Sequence, residues 1–207
     1  MMTRPPRLRR FWREDDGAVL VELAVVLGIF LLLLFGLIDF GRLGFSNVLA
    51  EKATESAVRM AVVRPAICED VPTRVNRSLL GLLRLDVDNG TRCADVPGVC
   101  QAPETVTCTG DAAQPQVAAI WARIEPLLPV NATPENLSFS YSYDPELNRV
   151  AARYAPIVTV EITGLDYQFI SPLGAFAALA GAQGYESLGA SFTFPSMSAS
   201  LPSEDLM

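Results

Sequence analysis

Residues 18–38, AVLVELAVVLGIFLLLLFGLI, decide the architecture of this chain. As a helix rising about 1.5 Å per residue, the stretch is long enough to cross a hydrocarbon core of roughly 30 Å. Every residue in it is apolar or glycine except Glu22. A charge at the middle of a membrane helix costs about 2.5–3.5 kcal/mol on insertion scales. Glu22 stands near one end, where the cost is lower, yet an acid there still needs a physical reason. Gly17 immediately precedes the run, behind a leader with Arg4, Arg7, Arg9, Arg10 and Arg13 and the acids Glu14, Asp15 and Asp16. Basic residues stay on the cytoplasmic side of a spanning helix and acids count little for orientation. The N-terminus is therefore expected in the cytoplasm, and residues from about 46 onward outside it.

The run is too long for a secretory h-region of about 7–15 residues, and no A-x-A site follows it. No cysteine stands near the N-terminus, which argues against a lipoprotein. Beyond the run remain 169 of the 207 residues, enough for a core of their own. The formal net charge is −7 and lysine occurs once, at Lys52, so no basic patch marks a nucleic-acid partner. Histidine is absent, which removes Ser-His-Asp and Cys-His catalysis, and no phosphate loop or dinucleotide fingerprint appears. Neither an enzyme nor a cofactor is expected.

Cys68, Cys93, Cys100 and Cys108 all follow the apolar run, on the expected oxidising side. An even count there predicts two disulfides, with all three pairings open. The spacings C-x6-C and C-x7-C lack a zinc knuckle, so no metal site is expected.

The apolar run continues into helical spacing over residues 47–63, where Val48, Leu49, Ala53, Ala57, Met60 and Ala61 line one side and Glu55 and Arg59 another. Pro65 should end this helix, and Gly41 and Gly44 allow a hinge. Residues 73–85 read as a short helix, and residues 86–111 as a cysteine-bearing loop with turn signals at Gly90, Gly98 and Gly110. Residues 115–128 form an amphipathic helix. Residues 137–143 and 156–163 alternate as strands, residues 166–170 extend or restart the second, residues 172–182 form an Ala-rich helix, and residues 187–194 a last strand. The expectation is an α+β chain: a long N-terminal membrane-spanning helix continuing into an extracytoplasmic domain with an antiparallel sheet and short helices. Its parts are a leader (1–17), a transmembrane helix (18–42), the helix's continuation (43–66), a periplasmic α+β domain (67–195) and a loose tail (196–207).

Cutting after Gly17 would leave Ala18 as a new amino terminus, with an amine pKa near 7.7–8.0 in water. In a stack of such helices the Glu22 carboxylate of one could meet the amine of the next, a register device like a polar group buried in a coiled coil. The motif GAVLVEL over residues 17–23, the Leu-rich stretch and FGLIDFGR over residues 35–42 resemble the TadE-like family. These are pilin-like proteins, pseudopilins or minor pilins, of the tight adherence (Tad, Flp-type) pilus systems of bacteria. The resemblance is strong over residues 9–64 and looser over residues 156–194. It implies cleavage between Gly17 and Ala18 by a membrane-embedded prepilin peptidase, with Glu22 as the acid needed for processing or assembly. It also implies, as partners, the lipid bilayer, that peptidase, other pilin-like subunits and Tad assembly proteins. The implied location is the bacterial inner membrane, or a surface pilus built from it. Leu23 stands where the major pilins of these systems carry Tyr, which favours an accessory subunit. From another class, the chain could be an uncleaved, membrane-anchored periplasmic module that binds a ligand or protein. Asp39 and Arg42, at the far edge of the apolar run, read as an interfacial anchor.

Overall fold

The computed structural model of the chain describes residues 16–84, 86–179, 183–184 and 189–204. Residues 1–15 of the leader, residues 180–182 of the Ala-rich segment and residues 187–188 of the last expected strand lie outside the described residues. Helix α1, Asp16–Ala61, has 46 residues and includes both Gly41 and Gly44. It stops shortly before Pro65, whose ring disfavours helical backbone in the residue ahead of it. Among the described residues it is the one helix long and apolar enough to cross a membrane. There follow α2 (Leu79–Leu83), β1 (Val106–Thr109), α3 (Pro115–Ile124), β2 (Leu137–Ser142), β3 (Ile157–Ile162), β4 (Asp166–Tyr167), α4 (Leu173–Leu179), β5 (Phe192–Thr193) and β6 (Met197–Pro202). The fold is α+β, as the sequence leads one to expect. The chain forms two compact units, one of Met1–Leu43 with Gln168–Phe192, the other of Gly44–Tyr167 with Thr193–Met207.

The second unit holds an antiparallel sheet of four strands in the order β1-β2-β3-β6. Alternation along β2 buries Leu137, Phe139 and Tyr141 and leaves Ser138, Ser140 and Ser142 half-buried. On β3 the buried set is Val158, Val160 and Ile162, with Phe139 opposite Val160. Period-two alternation puts each set on one face of the sheet. Val117, Ile120 and Ile124 of α3 are buried at helical spacing, behind Pro115 at the first helical position, where a missing N–H costs nothing. The C-terminal part of α1 buries Ala50, Ala53, Ala57, Val58 and Ala61, again three and four apart. Four of these five are alanines, which let the helix backbone approach its neighbours closely. Tyr141, a buried aromatic with a polar tip, accepts a hydrogen bond at its hydroxyl from the Ile67 amide at 3.0 Å.

Three elements differ from the expectation. The helix foreseen over residues 73–85 is confined to Leu79–Leu83, because the backbones of Arg74 and Arg77 pair instead with Arg153 and Cys100. Its short turn is capped by Ser78, which accepts from the Gly81 amide at 2.9 Å, and a side chain at Gly81 would collide with the Val99 carbonyl. Leu79, Leu80, Leu82 and Leu83 all face solvent. Within the cysteine-bearing segment, Val106–Thr109 is a strand, the edge partner of β2. The tail expected to be loose over residues 196–207 instead supplies β6, paired along its whole length with β3. The last expected strand is reduced to Phe192–Thr193. Phe192 and Phe194 do not share one environment, since the first is exposed and the second buried.

One buried polar residue organises the turn between β2 and β3. Asn148 is fully buried. Its amide nitrogen donates to the carbonyls of Asp144 (2.7 Å) and Ala155 (2.9 Å), and its side-chain oxygen accepts from the Ala155 amide (2.8 Å). Removing the side chain takes three hydrogen bonds from part-buried backbone groups, at about 1 kcal/mol or more each. Asn148→Ala should therefore destabilise the α+β domain by about 3 kcal/mol or more in a chemical-denaturation experiment. A loss below about 1 kcal/mol would mean that water replaces these bonds.

Candidate functional site

The residues singled out at the N-terminus fall in the first two turns of α1. Gly17 and Ala18 lie in the opening turn, and Glu22 follows Ala18 by one turn, about 6 Å along the axis. The first amides of a helix have no intrahelical acceptor, so unwinding that turn for a protease breaks few hydrogen bonds. The dipole of the helix favours an acid near this end. The Glu22 side chain is exposed and makes no ion pair or hydrogen bond among the described residues. All residues from Val19 to Leu27 are exposed too, so the chain leaves this part of the helix bare for lipid or for a neighbouring helix.

The other end of the apolar run is different. Asp39 is only 1 % exposed. Its carboxylate accepts a hydrogen bond from the Ser171 amide at 3.1 Å and lies 3.7 Å from the Arg42 guanidinium. To the interfacial-anchor reading of Asp39 the structure adds a structural role: the acid holds a loop that arrives from far along the chain. Phe176 stacks on Phe35 at 5.1 Å between ring centroids, and Phe169 meets Phe40 edge-on at 5.9 Å. Sequence reasoning missed these pairs. A bond spanning 132 positions leaves no local signal. The one hint was an acid at the edge of an apolar run, and it fits several explanations.

The four cysteines form Cys68–Cys108 and Cys93–Cys100, each with Cα atoms 5.6 Å apart. The first bond ties the segment after α1 to the edge strand β1. The second closes a small loop packed with Val75 and Tyr154. Beside it Ala66, Val71, Pro72, Thr73, Arg74, Arg153 and Tyr154 line a cleft of about 200 Å³. No group of metal-ligating side chains occurs among the described residues.

Burial pushes the Tyr154 phenol up to about 12, with a smaller contribution from Tyr143 stacked beside it at 6.4 Å. In an unfolded chain the same phenol ionises near 10. The folded state thus favours the neutral form, and this contribution is intact below pH 10 and lost as the pH rises from 10 to 12. Burial shifts Tyr141 and Tyr143 in the same direction. The denaturation midpoint of the α+β domain should fall between pH 9 and pH 11.5, with the last phenol ionising late in a 295 nm absorbance titration. Ionisation of every tyrosine near pH 10 would contradict this.

Compared with known proteins, residues 17–59 match the model of the family described as TadE-like protein. The matched stretch begins at Gly17, takes in Glu22 and Asp39, and ends inside α1. No curated protein and no solved structure matches the chain.

Proposed function

We propose that this chain, TadE-like over residues 17–59, is an accessory pilin-like subunit of a Tad-type pilus or a related secretion machine. It is anchored by α1 in the bacterial inner membrane, with the leader in the cytoplasm and the α+β domain in the periplasm. A prepilin peptidase cuts between Gly17 and Ala18. Loss of five arginines and three acids then takes the formal charge from −7 to −9. The new Ala18 ammonium and the Glu22 carboxylate of an adjacent subunit meet within the membrane, where a paired charge is far less costly than an isolated one. The work of the chain is physical, through helix packing and domain contacts, with no reaction of its own.

The observation that carries this reading is the bare surface of α1 from Val19 to Leu27, coincident with the family match. A photo-crosslinking residue at Leu23, in the native membrane, tests it. The expected product is a covalent adduct with the apolar helix of another pilin-like subunit. Adducts with lipid alone, at every expression level, would favour a solitary tethered module and overturn the proposal.

A further inference from the structure

We propose that helix α4, Leu173–Leu179, is a second membrane-embedded element, lying among the acyl chains of the outer leaflet against α1. This rests on the reading of α1 as a spanning helix and adds to it a lipid-binding surface. The segment QFISPLGAFAALAGA, residues 168–182, carries no charged side chain. Its geometry is set by α1. The Ser171 amide donates to Asp39 at 3.1 Å, one residue beyond the apolar run 18–38. Phe176 then stacks on Phe35, which lies inside that run. From Asp39 back to Phe35 is four residues, or about 6 Å of helix axis. The α4 ring is therefore held about that far below the level of Asp39, at hydrocarbon depth.

The covered face of α1 is a continuous stripe. Leu31, Leu32, Phe35 and Gly36 are half-buried and Asp39 is buried, while Leu33 and Leu37 beside them are 68 % and 75 % exposed. If Leu33 and Leu37 face lipid, so does the outward side of a helix lying against the adjacent stripe. On that side Ala175 and Ala178 are exposed, and Ile170 just ahead of α4 is 72 % exposed.

Part of the backbone at the entry to α4 fits the same environment, the Gly174 and Ala175 amides of the first turn being the two without an acceptor among the described residues. In lipid each backbone N–H must find a partner within the protein. Where the chain turns into α4, the Ser171 amide is bound by Asp39, Pro172 has no N–H, and the Leu173 amide donates to the Ser171 carbonyl at 2.8 Å. The Phe176 amide donates to the Pro172 carbonyl at 3.2 Å. Asp39 thus marks the level at which the loop leaves water, and its conspicuous position at the end of the apolar run acquires a cause.

The test uses the full chain in vesicles of three parts phosphatidylethanolamine to one part phosphatidylglycerol, at low protein density. The native cysteines are all in disulfides, so an added cysteine can be labelled without reduction. Ala178→Cys and Ala175→Cys report on α4, Leu33→Cys on the spanning helix and the exposed Ala118→Cys on water. Both α4 sites should react with a membrane-impermeant maleimide at least tenfold more slowly than Ala118→Cys. A fluorophore at position 178 should be quenched more by lipid spin-labelled at carbon 5 than at carbon 12. Rapid reaction at 175 and 178 with Leu33→Cys still protected would overturn this proposal alone. Rapid reaction at all three would overturn the spanning reading as well. Protection that disappears on dilution with lipid would mean that a second copy covers α4, and would also overturn it.

Discussion

A Glu22→Gln chain is expected to insert into the membrane as well as the wild type and to be lost from pilin-like assemblies by tenfold or more. The substitution keeps the shape of the side chain and removes its charge. Insertion depends on the apolar run and the arginines of the leader, which are untouched, and it benefits slightly from losing an acid. Assembly, as proposed above, depends on the pair of the Glu22 carboxylate with the Ala18 ammonium of a neighbour. Removing one partner of a buried ion pair typically costs about 3–5 kcal/mol, because the other charge stays buried and uncompensated. Even half of the lower figure, at about 1.4 kcal/mol per factor of ten, amounts to an order of magnitude in association. Because Glu22 has no ion pair or hydrogen bond among the described residues, the fold of the α+β domain should not change. The measurement is co-purification of the variant with its partners from native membranes, normalised to its membrane content. Wild-type recovery of the Gln variant would reduce Glu22 to an acid tolerated near a headgroup region.

The second large effect concerns stability. Exchanging both Cys68 and Cys108 for serine should cost about 4 kcal/mol on the chain-entropy estimate for a loop of this size, against about 2.5 kcal/mol for the Cys93–Cys100 pair. The difference follows from sequence separations of 40 and 7. Position matters as well. Among the described residues β1 is the edge strand and pairs only with β2, so its four residues depend on the covalent tie for their place in the sheet. The double serine variants, compared in chemical denaturation, should keep this order. A larger loss from the Cys93–Cys100 pair would mean that packing around Val75 and Tyr154, and not loop closure, dominates.

What could be read from the sequence was what repeats locally. The bounds of α1 follow from the apolar run and from Pro65, and β2 and β3 from the alternation of Leu137, Phe139 and Tyr141 and of Val158, Val160 and Ile162. Strand β6 was not legible because M-S-A-S-L-P buries little, with Met197 its only buried residue. Its hydrogen bonds to the free edge of β3 make it a strand, and those depend on a partner 35 to 45 positions away. Strand β1 hid in the same way, four residues long between turn signals. The reading of residues 73–85 followed the leucines and overlooked backbone pairing at Arg74 and Arg77. Of the candidate site, Gly17, Ala18 and Glu22 could be singled out as candidates because their spacing is local. The tether of Asp39 to Ser171 and the choice among three disulfide pairings depend on contacts that only the folded chain contains.

The account turns on one covalent event, and the intact mass and N-terminal sequence of the chain extracted from its native membrane test it most directly. The expected polypeptide begins at Ala18 and lacks the mass of residues 1–17. A chain that still carries those residues, in a membrane where prepilin peptidase is active, would contradict it.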